Sequence, residues 1–364
     1  MTDLSSCPNL PRGAAMIDVV GTMLTDDDKR RLLNPNVGGV ILFRRNFLSI
    51  EQLKELVKEI KSLRTPELIV AVDHEGGRVQ RFINGFTRLP AMANLGKYAD
   101  KNGIAAAEIM AEKTGFVLAA ELRACGIDLS FTPVLDLDYA CCAVIGNRSF
   151  HRNPDTVARL AVALQKGLKN GGMASCGKHF PGHGCVAEDS HLELPRDSRE
   201  LPEMSDDLLP FQKMIAQGMQ SVMPAHVLYH NIDPQPAGFS AYWLQNKLRQ
   251  EMGFDGIIFS DDLTMEGATG AGDIYQRTIA ALNAGCDVVL VCNSPEMADE
   301  LIANRLPENP NLQRRWNLIA GRGDTATFNA LLNTPEFIQT AQEVTALCEL
   351  TDVVATAPKV GEAF

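Results

Sequence analysis

The sequence lacks any run of about 18 consecutive apolar residues, the length needed to cross a lipid bilayer. The segment Met1–Arg12 also lacks the apolar stretch of roughly 7–15 residues that marks a secretion signal. The nine cysteines include no Cys-x-x-Cys pair, and a chain of 364 residues can bury a core without disulfides. These absences predict free thiols, no membrane partner and a cytoplasmic location.

Basic residues are also scarce. The chain has 34 Lys and Arg against 45 Asp and Glu, which gives a net charge of -11. Nucleic acid binding requires clustered Lys and Arg to neutralise phosphates, and here the basic residues are scattered. We therefore expect no nucleic acid partner, a small-molecule substrate and, as the default, a monomer.

No Pro/Ser-rich linker divides the chain, and eight apolar runs alternate with helical patterns along it. Apolar residues throughout a run are typical of parallel strands covered on both sides, and the alternation predicts a parallel α/β fold. Eight such strands favour a closed (β/α)8 barrel of the TIM type over an open doubly wound sheet. No Gly-x-Gly-x-x-Gly follows a strand, which weakens a dinucleotide-binding alternative. The predicted strands are Ala14–Val20, Gly39–Phe43, Leu68–Asp73, Leu129–Val134, Ala174–Phe180, Ser221–Val227, Gly256–Asp261 and Asp287–Cys292.

The chain loses strand character from about Pro307 onward and shows helical patterns instead. We therefore predict a catalytic barrel over residues 1–306 and, over residues 307–364, C-terminal helices that pack on the barrel as an appendage of the same domain.

Polar side chains follow most of the predicted strands. Barrel enzymes carry their chemistry at the carboxyl ends of the strands, so these side chains are expected to converge on one rim. The strand ends read Phe43-Arg44-Arg45, Val72-Asp73-His74-Glu75, Leu135-Asp136-Leu137-Asp138, Gly177-Lys178-His179, Pro224-Ala225-His226, Ser260-Asp261-Asp262 and Cys292-Asn293.

The segment after the fifth strand is the richest in such groups. Asp189 and His191 are two residues apart, so in an extended chain both side chains face the same way. The carboxylate would then orient the imidazole, whose ordinary pKa of about 6.5 suits proton transfer near neutral pH. A polar loop without chemistry is the alternative. A zinc site is a weaker alternative, because Pro181 and Gly182 prevent a helical zinc motif between His179 and His183. We predict neither a metal nor a cofactor.

At this point the sequence resembles a known family. The segment Lys178–Gly184 (KHFPGHG), followed by Asp189-Ser190-His191, is similar to the signature of the bacterial β-N-acetylglucosaminidases of glycoside hydrolase family 3, the enzymes of cell-wall recycling. Three further segments match in order, so four motifs span most of the predicted barrel. His74 is one departure, since Gln is commoner there. The further segments are Asp73–Arg81 (DHEGGRVQR), Gly146–Phe150 (GNRSF) and Phe259–Met265 (FSDDLTM).

The resemblance implies a role for each matching residue. Asp261 would be the nucleophile, and His191 the general acid/base with Asp189 as its partner. The residues that would bind the N-acetylglucosamine ring are Asp73, Arg81, Arg148, Lys178 and His179. The reaction would release terminal β-linked N-acetylglucosamine, with retention of configuration, from muropeptide fragments that carry an anhydro-N-acetylmuramic acid unit.

Four alternatives remain open in the sequence. Neighbours on a strand point to opposite faces, so either Asp261 or Asp262 faces the barrel centre; the family match favours Asp261, with Asp262 as a cap of the following turn. Paired carboxylates also occur in hexosaminidases whose nucleophile is the substrate acetamido group. A histidine acid/base does not repel phosphate, so a phosphorylase is the nearest alternative activity, and a sugar-binding barrel without catalysis is the other.

Overall fold

The computed structural model describes residues 7–187 and 194–350. Asp189 and His191, to which we assigned the acid/base role, lie outside the described residues. The strands are β1 (Ala15–Ile17), β2 (Val37–Leu42), β3 (Ile69–Val72), β4 (His74–Gly76), β5 (Val79–Gln80), β6 (Leu129–Ser130), β7 (Cys176–Phe180), β8 (Arg196–Asp197), β9 (Ser221–Pro224), β10 (Leu228–Tyr229), β11 (Ile257–Asp262) and β12 (Val288–Val291).

Eight of these strands form one parallel sheet in the order β6-β3-β2-β1-β12-β11-β9-β7. The two outer strands, β6 and β7, are joined by isolated parallel bridges, Leu129 with Ala174 and Val134 with Lys178. Hydrogen bonds from Leu135 N to Lys178 O (2.6 Å) and from Cys176 N to Thr132 O (2.8 Å) continue this contact. The sheet therefore closes into the predicted (β/α)8 barrel.

The helices surround this barrel. They are α1 (Asp26–Leu32), α2 (Ile50–Ser62), α3 (Met92–Asn102), α4 (Ile104–Ala124), α5 (Pro154–Asn170), α6 (Ser205–Ala216), α7 (Ile274–Ala284), α8 (Pro295–Ile302), α9 (Leu312–Ile319), α10 (Thr325–Leu331) and α11 (Pro335–Ala346). A π-helix spans Tyr242–Glu251, and 3₁₀ helices span Arg44–Asn46, Gly146–Arg148, Leu201–Met204, Ala237–Phe239, Glu266–Ala271 and Leu347–Leu350. None of the helices within residues 7–187 and 194–350 is long and apolar enough to cross a membrane.

The amphipathic pattern and the caps explain where the helices lie. In α2, Leu53, Leu56, Val57 and Ile60 recur at helical spacing and are buried, and the Ser49 side chain accepts a hydrogen bond from the Gln52 backbone to cap the first turn. The apolar face of this helix is therefore turned towards the barrel, and its polar face is turned towards water.

The C-terminal helices contribute to the barrel core. Trp316 of α9 is fully buried, and its indole N–H donates to Gly13 O at 3.0 Å. A Cβ atom at Gly38 would lie 2.7 Å from the Trp316 ring, so glycine at this position lets the ring approach the amino-terminal end of β2. The ring also meets Phe259 of β11, with centroids 6.0 Å apart. These contacts agree with an appendage that packs on the barrel; the division at residue 306 stays a prediction.

All eight predicted barrel strands are present, with ends that differ from the predicted ones by a few residues. The sequence patterns missed the antiparallel hairpin β4–β5, which directly follows β3, and the helices α3 and α8. The hairpin has only five residues in strands, too few for a period to be visible. This hairpin nevertheless carries part of the candidate site.

Candidate active site

The polar groups at the carboxyl ends of the strands meet on one rim, as predicted. Lys178 in the middle of β7 reaches Asp73, which directly follows β3, with Nζ and Oδ1 2.7 Å apart. On the other side of the rim, Arg45 after β2 pairs with Asp18 after β1 and donates to Asn293 Oδ1 after β12 at 2.7 Å. Interactions between side chains thus link strands that are far apart in sequence.

Glu75 is the centre of the most buried charge cluster. Its two carboxylate oxygens accept from Nε and Nη2 of Arg148, both at 2.8 Å, and Oε1 also lies 2.7 Å from Lys178 Nζ. Burial alone would raise the pKa of Glu75, but the charges of Arg148 and Lys178 outweigh it and hold the pKa well below its usual range. Glu75 is therefore an anion that fixes two cations in place.

The two cations keep their charge for the same reason. Burial disfavours protonated Lys178, but Asp73 and Glu75 beside it raise its pKa above the ordinary value. Arg148 donates to Glu75 through two nitrogens and to Val144 O through Nη1 at 3.2 Å. A guanidinium has five N–H donors, so the geometry leaves Arg148 further donors for a ligand.

Asp73 is the most accessible member of this cluster. Its side chain is 21% exposed, whereas those of Lys178 and Arg81 are each 3% exposed. Arg81 Nη2 lies 3.7 Å from Asp73 Oδ2, so a lysine and an arginine flank the two oxygens of one carboxylate. An acceptor held between two buried cations, and still open on one side, suits a sugar that presents neighbouring hydroxyl groups.

His179 is held by a carboxylate that the sequence analysis placed on the rim but gave no role. Asp136 Oδ2 lies 2.7 Å from His179 Nδ1, and the backbone N–H of His183 donates to Asp136 Oδ1 at 2.6 Å. The His183 ring is buried and its Nδ1 lies 3.6 Å from Cys142 Sγ. Burial, helped by the neighbouring His179, lowers the pKa of His183 to about 4, so His183 is neutral near pH 7.

Asp261 and Asp262 differ in their surroundings. The Asp262 carboxylate accepts from the backbone N–H groups of Thr264 (3.0 Å) and Cys292 (3.2 Å) and from the Thr264 hydroxyl (2.8 Å). Burial, with a contribution from the charge of Asp261, raises the pKa of Asp262 to about 7. Asp261 is half-buried, and its Oδ1 accepts from the Asp262 backbone at 2.8 Å. Both side chains are half-buried, and the Asp262 carboxylate is committed to the following turn through these hydrogen bonds.

Two histidines near the rim stand apart from the cluster. His74 of β4 packs against the rings of Phe82 and Phe86, each at a centroid distance of 5.8 Å, and burial first, then Arg81, lowers its pKa to about 3. His226 is buried beside Phe239, with Nε2 3.1 Å from the carbonyl oxygen of Asp262. Within the described part of the chain no group of three or more His, Cys, Asp or Glu side chains is arranged to hold a metal ion.

The structure brings together five of the predicted site residues in two adjacent groups. In one charge cluster Glu75 joins Arg148 to Lys178, and Asp73 joins Lys178 to Arg81; His179 follows Lys178 on β7. Sequence reasoning gave no role to Glu75 or Asp136. Each belonged to a polar run at a predicted strand end, Val72–Glu75 or Leu135–Asp138, which was the available signal, but only the fold reveals their partners.

Comparison with known proteins gives consistent matches. A family model for the glycosyl hydrolase family 3 N-terminal domain matches residues 13–310. A β-hexosaminidase of Neisseria meningitidis serogroup A is 61% identical over 98% of this chain and 99% of that protein. A β-hexosaminidase of Chromobacterium violaceum is 56% identical over 98% of this chain and 99% of that protein. The crystal structure of NagZ from Neisseria gonorrhoeae in complex with N-trifluoroacetyl-D-glucosamine has a TM-score of 0.91 and 59% identity, and covers 94% of this chain and 99% of that one.

The charge cluster predicts a pH-dependent loss of stability for Glu75→Gln. Removing one partner of a buried ion pair costs about 3–5 kcal/mol, so we expect the free energy of unfolding at pH 7 to fall by about this amount. Because folding lowers the pKa of Glu75, its contribution is present above the ordinary Glu pKa of about 4.3 and is lost as the pH falls through the lower folded value. Urea unfolding between pH 7 and pH 3 should therefore show the difference shrinking below about pH 5.

The matched control is Glu55→Gln, at a glutamate whose side chain is 77% exposed and 3.9 Å from Lys58. This change should alter stability by less than about 0.5 kcal/mol. A Glu75→Gln protein as stable as the wild type at pH 7, or a difference that grows on acidification, would contradict the role of Glu75.

Proposed function

Because this chain belongs to glycosyl hydrolase family 3, we propose that it is a retaining exo-β-N-acetylglucosaminidase. It is a glycoside hydrolase, and the relatives reported above are β-hexosaminidases. The observation that carries the proposal is the 61% identity to such an enzyme over 98% of this chain. The cluster of charged side chains at the barrel rim supports it, since a sugar presents hydroxyl groups that such side chains bind.

The substrate that we propose is a muropeptide, GlcNAc-β-1,4-anhydroMurNAc with or without a stem peptide, cleaved in the cytoplasm by a monomeric enzyme during peptidoglycan recycling. The four family motifs support this assignment. The NagZ structure contains N-trifluoroacetyl-D-glucosamine, an N-acylated glucosamine, which supports the same sugar class for the terminal ring.

In this proposal the charge cluster binds the terminal sugar. Asp73 accepts from neighbouring hydroxyl groups, and Lys178, Arg81 and Arg148 donate to sugar oxygens, while His179 contacts the ring from β7. Hydrogen bonds to charged groups contribute about 1.5–3 kcal/mol each. Because Glu75 and Asp73 already hold Lys178 in place, the sugar gains these bonds without having to order the lysine side chain.

Asp261 acts as the nucleophile at the anomeric carbon. A retaining glycosidase needs a carboxylate on the face of the sugar opposite the leaving group, and it forms a covalent glycosyl-enzyme intermediate. The hydrogen bonds that tie the Asp262 carboxylate to Thr264 and Cys292 support Asp261 over Asp262 as the nucleophile. A carboxyl group with a raised pKa is also the poorer nucleophile at neutral pH because it is partly protonated.

His191, oriented by Asp189, acts as the acid/base. It must be protonated to donate to the leaving oxygen and neutral to activate water in the second step. A carboxylate beside it favours the protonated form and so assists the first step. The support here is the sequence alone, because both residues lie outside the described ranges.

The proposal predicts that a chromogenic N-acetyl-β-glucosaminide is hydrolysed to free N-acetylglucosamine in phosphate buffer as well as in an inert buffer. Mass spectrometry of the products distinguishes the alternatives. A product dominated by N-acetylglucosamine 1-phosphate would make the enzyme a phosphorylase, and no turnover in either buffer would make it a sugar-binding barrel.

A fluorosugar that slows the second step should label one residue, Asp261, because the covalent intermediate then accumulates. Peptide mapping after digestion locates the label, and Asp261→Asn should remain unlabelled. A label on Asp262 would overturn the assignment of Asp261. No label on a wild-type enzyme that still turns over would also overturn it, and would favour the substrate acetamido group as the nucleophile.

His191→Ala should slow cleavage of the natural disaccharide by about 10²–10⁴-fold, the usual contribution of a general acid/base. The loss should be much smaller for substrates whose good leaving groups need no proton. Asp189→Ala should lose less activity than Asp261→Ala, because it acts through His191. Initial rates on both substrate types measure this, and equal losses on both would refute the acid role.

A further inference from the structure

Asp136 is a buried carboxylate at the rim to which the mechanism above gives no task. We propose that Asp136 is a positioning residue that fixes the His179 ring with the proton on Nδ1 and so presents Nε2 to the sugar. This inference deepens the proposed function, since it assumes that His179 contacts substrate. The orientation of the ring can be tested independently of activity.

Three hydrogen bonds hold Asp136 in place. Oδ2 lies 2.7 Å from His179 Nδ1 and accepts from the His179 backbone N–H at 3.2 Å, while Oδ1 accepts from the His183 backbone N–H at 2.6 Å. Asp136 is 1% exposed, so water does not compete for these donors. Both oxygens of the carboxylate thus face the segment that begins with β7.

The backbone also fixes the distance between Asp136 and His179. Leu135 N donates to Lys178 O at 2.6 Å, and Val134 pairs with Lys178 as an isolated parallel bridge. The residues next to Asp136 and His179 are therefore tied to each other. The carboxylate reaches the ring without a long flexible side chain, which is the condition for holding it in one orientation.

The charge state of Asp136 determines the tautomer of His179. Burial would raise the pKa of Asp136, but the His179 ring and the His183 backbone outweigh it and hold the pKa below its usual range. An ionised carboxylate only accepts hydrogen bonds, so His179 Nδ1 must carry a hydrogen. In the neutral ring Nε2 is then an acceptor, and within the described ranges it has no hydrogen-bond partner.

His183 does not compete for this carboxylate with its ring. It contributes its backbone N–H to Asp136, and its Nδ1 lies near Cys142 Sγ instead. The side-chain partner of Asp136 in the described part of the chain is His179. A change at Asp136 should therefore affect His179 first.

The first test is a ¹⁵N NMR spectrum of the wild type labelled at histidine, with the His179 signals assigned by their loss in His179→Ala. At a pH where the ring is neutral, we expect the N–H-type signal at Nδ1 and the lone-pair-type signal at Nε2. The opposite tautomer would overturn the proposal without any variant of Asp136.

The second test is Asp136→Asn. The amide oxygen must stay towards the backbone N–H of His183, so the NH₂ group faces His179 Nδ1, which then has to accept. The proton moves to Nε2, and the ¹⁵N pattern should invert. Nε2 would then carry a hydrogen where the sugar needs an acceptor, so kcat/KM should fall by about 10- to 100-fold, the cost of leaving a buried hydrogen-bonding group unsatisfied.

A double-mutant cycle separates positioning from general stability. In a His179→Ala background, Asp136→Asn should change kcat/KM less than about twofold, because the residue through which it acts is gone. The same large loss in both backgrounds, or an uninverted ¹⁵N pattern in Asp136→Asn, would contradict the proposal. If the wild type lacked glycosidase activity, the proposed function would fail while the NMR result still decided the tautomer.

The matched control is Asp128→Asn, at a buried carboxylate just before β6 on the opposite end of the barrel. Asp128 accepts from the Val70 backbone at 3.0 Å and pairs with Lys61 and Arg123. Its substitution removes a buried charge of the same kind, so it reports the general cost of such a change. It should leave the His179 tautomer and kcat/KM unchanged even where it lowers the midpoint of thermal unfolding; a shifted tautomer in this variant would overturn the assignment to Asp136.

Discussion

Lys178 and Arg148 are almost wholly removed from water, and both meet the carboxylate of Glu75, while Lys178 also meets Asp73. Removing an ion from water costs several kcal/mol unless another charge lies close by, so this pairing is a condition for the barrel to fold with charges at its rim. The pairing also joins β3, β7 and the 3₁₀ helix Gly146–Arg148. The same interaction that permits the charges therefore sets the distances between groups that the sugar is proposed to meet.

The residues around the rim fall into groups with different proposed roles. The segment that binds the sugar in our proposal is fixed by ion pairs and by Asp136, and the proposed nucleophile Asp261 lies half-buried near the end of β11. Its neighbour Asp262 is committed to the turn that follows β11. Two adjacent aspartates thus have different environments, and this difference supports a chemical role for one and a structural role for the other.

The sequence was sufficient for the barrel because most strands lie in short, mainly apolar runs and helices separate these runs. It was insufficient where structure depends on contacts distant in the chain. The hairpin β4–β5 has too few residues to show a period, and α3 and α8 were not recognised. Lys178, Asp73 and Asp261 could be named from strand ends and family motifs. Glu75 and Asp136 could not be given roles, because their partners lie 73 and 43 residues away and only the closed barrel brings them together.

The central claim is that the paired charges of Asp73, after β3, and Lys178, on β7, hold a sugar against Asp261. A crystal structure of the protein with bound N-acetylglucosamine tests it most directly. The account predicts ring hydroxyl groups hydrogen-bonded to Asp73 and Lys178, and the anomeric carbon about 3–3.5 Å from an Asp261 oxygen. A sugar bound away from the Asp73–Lys178 pair, or with its anomeric carbon turned away from Asp261, would contradict the account.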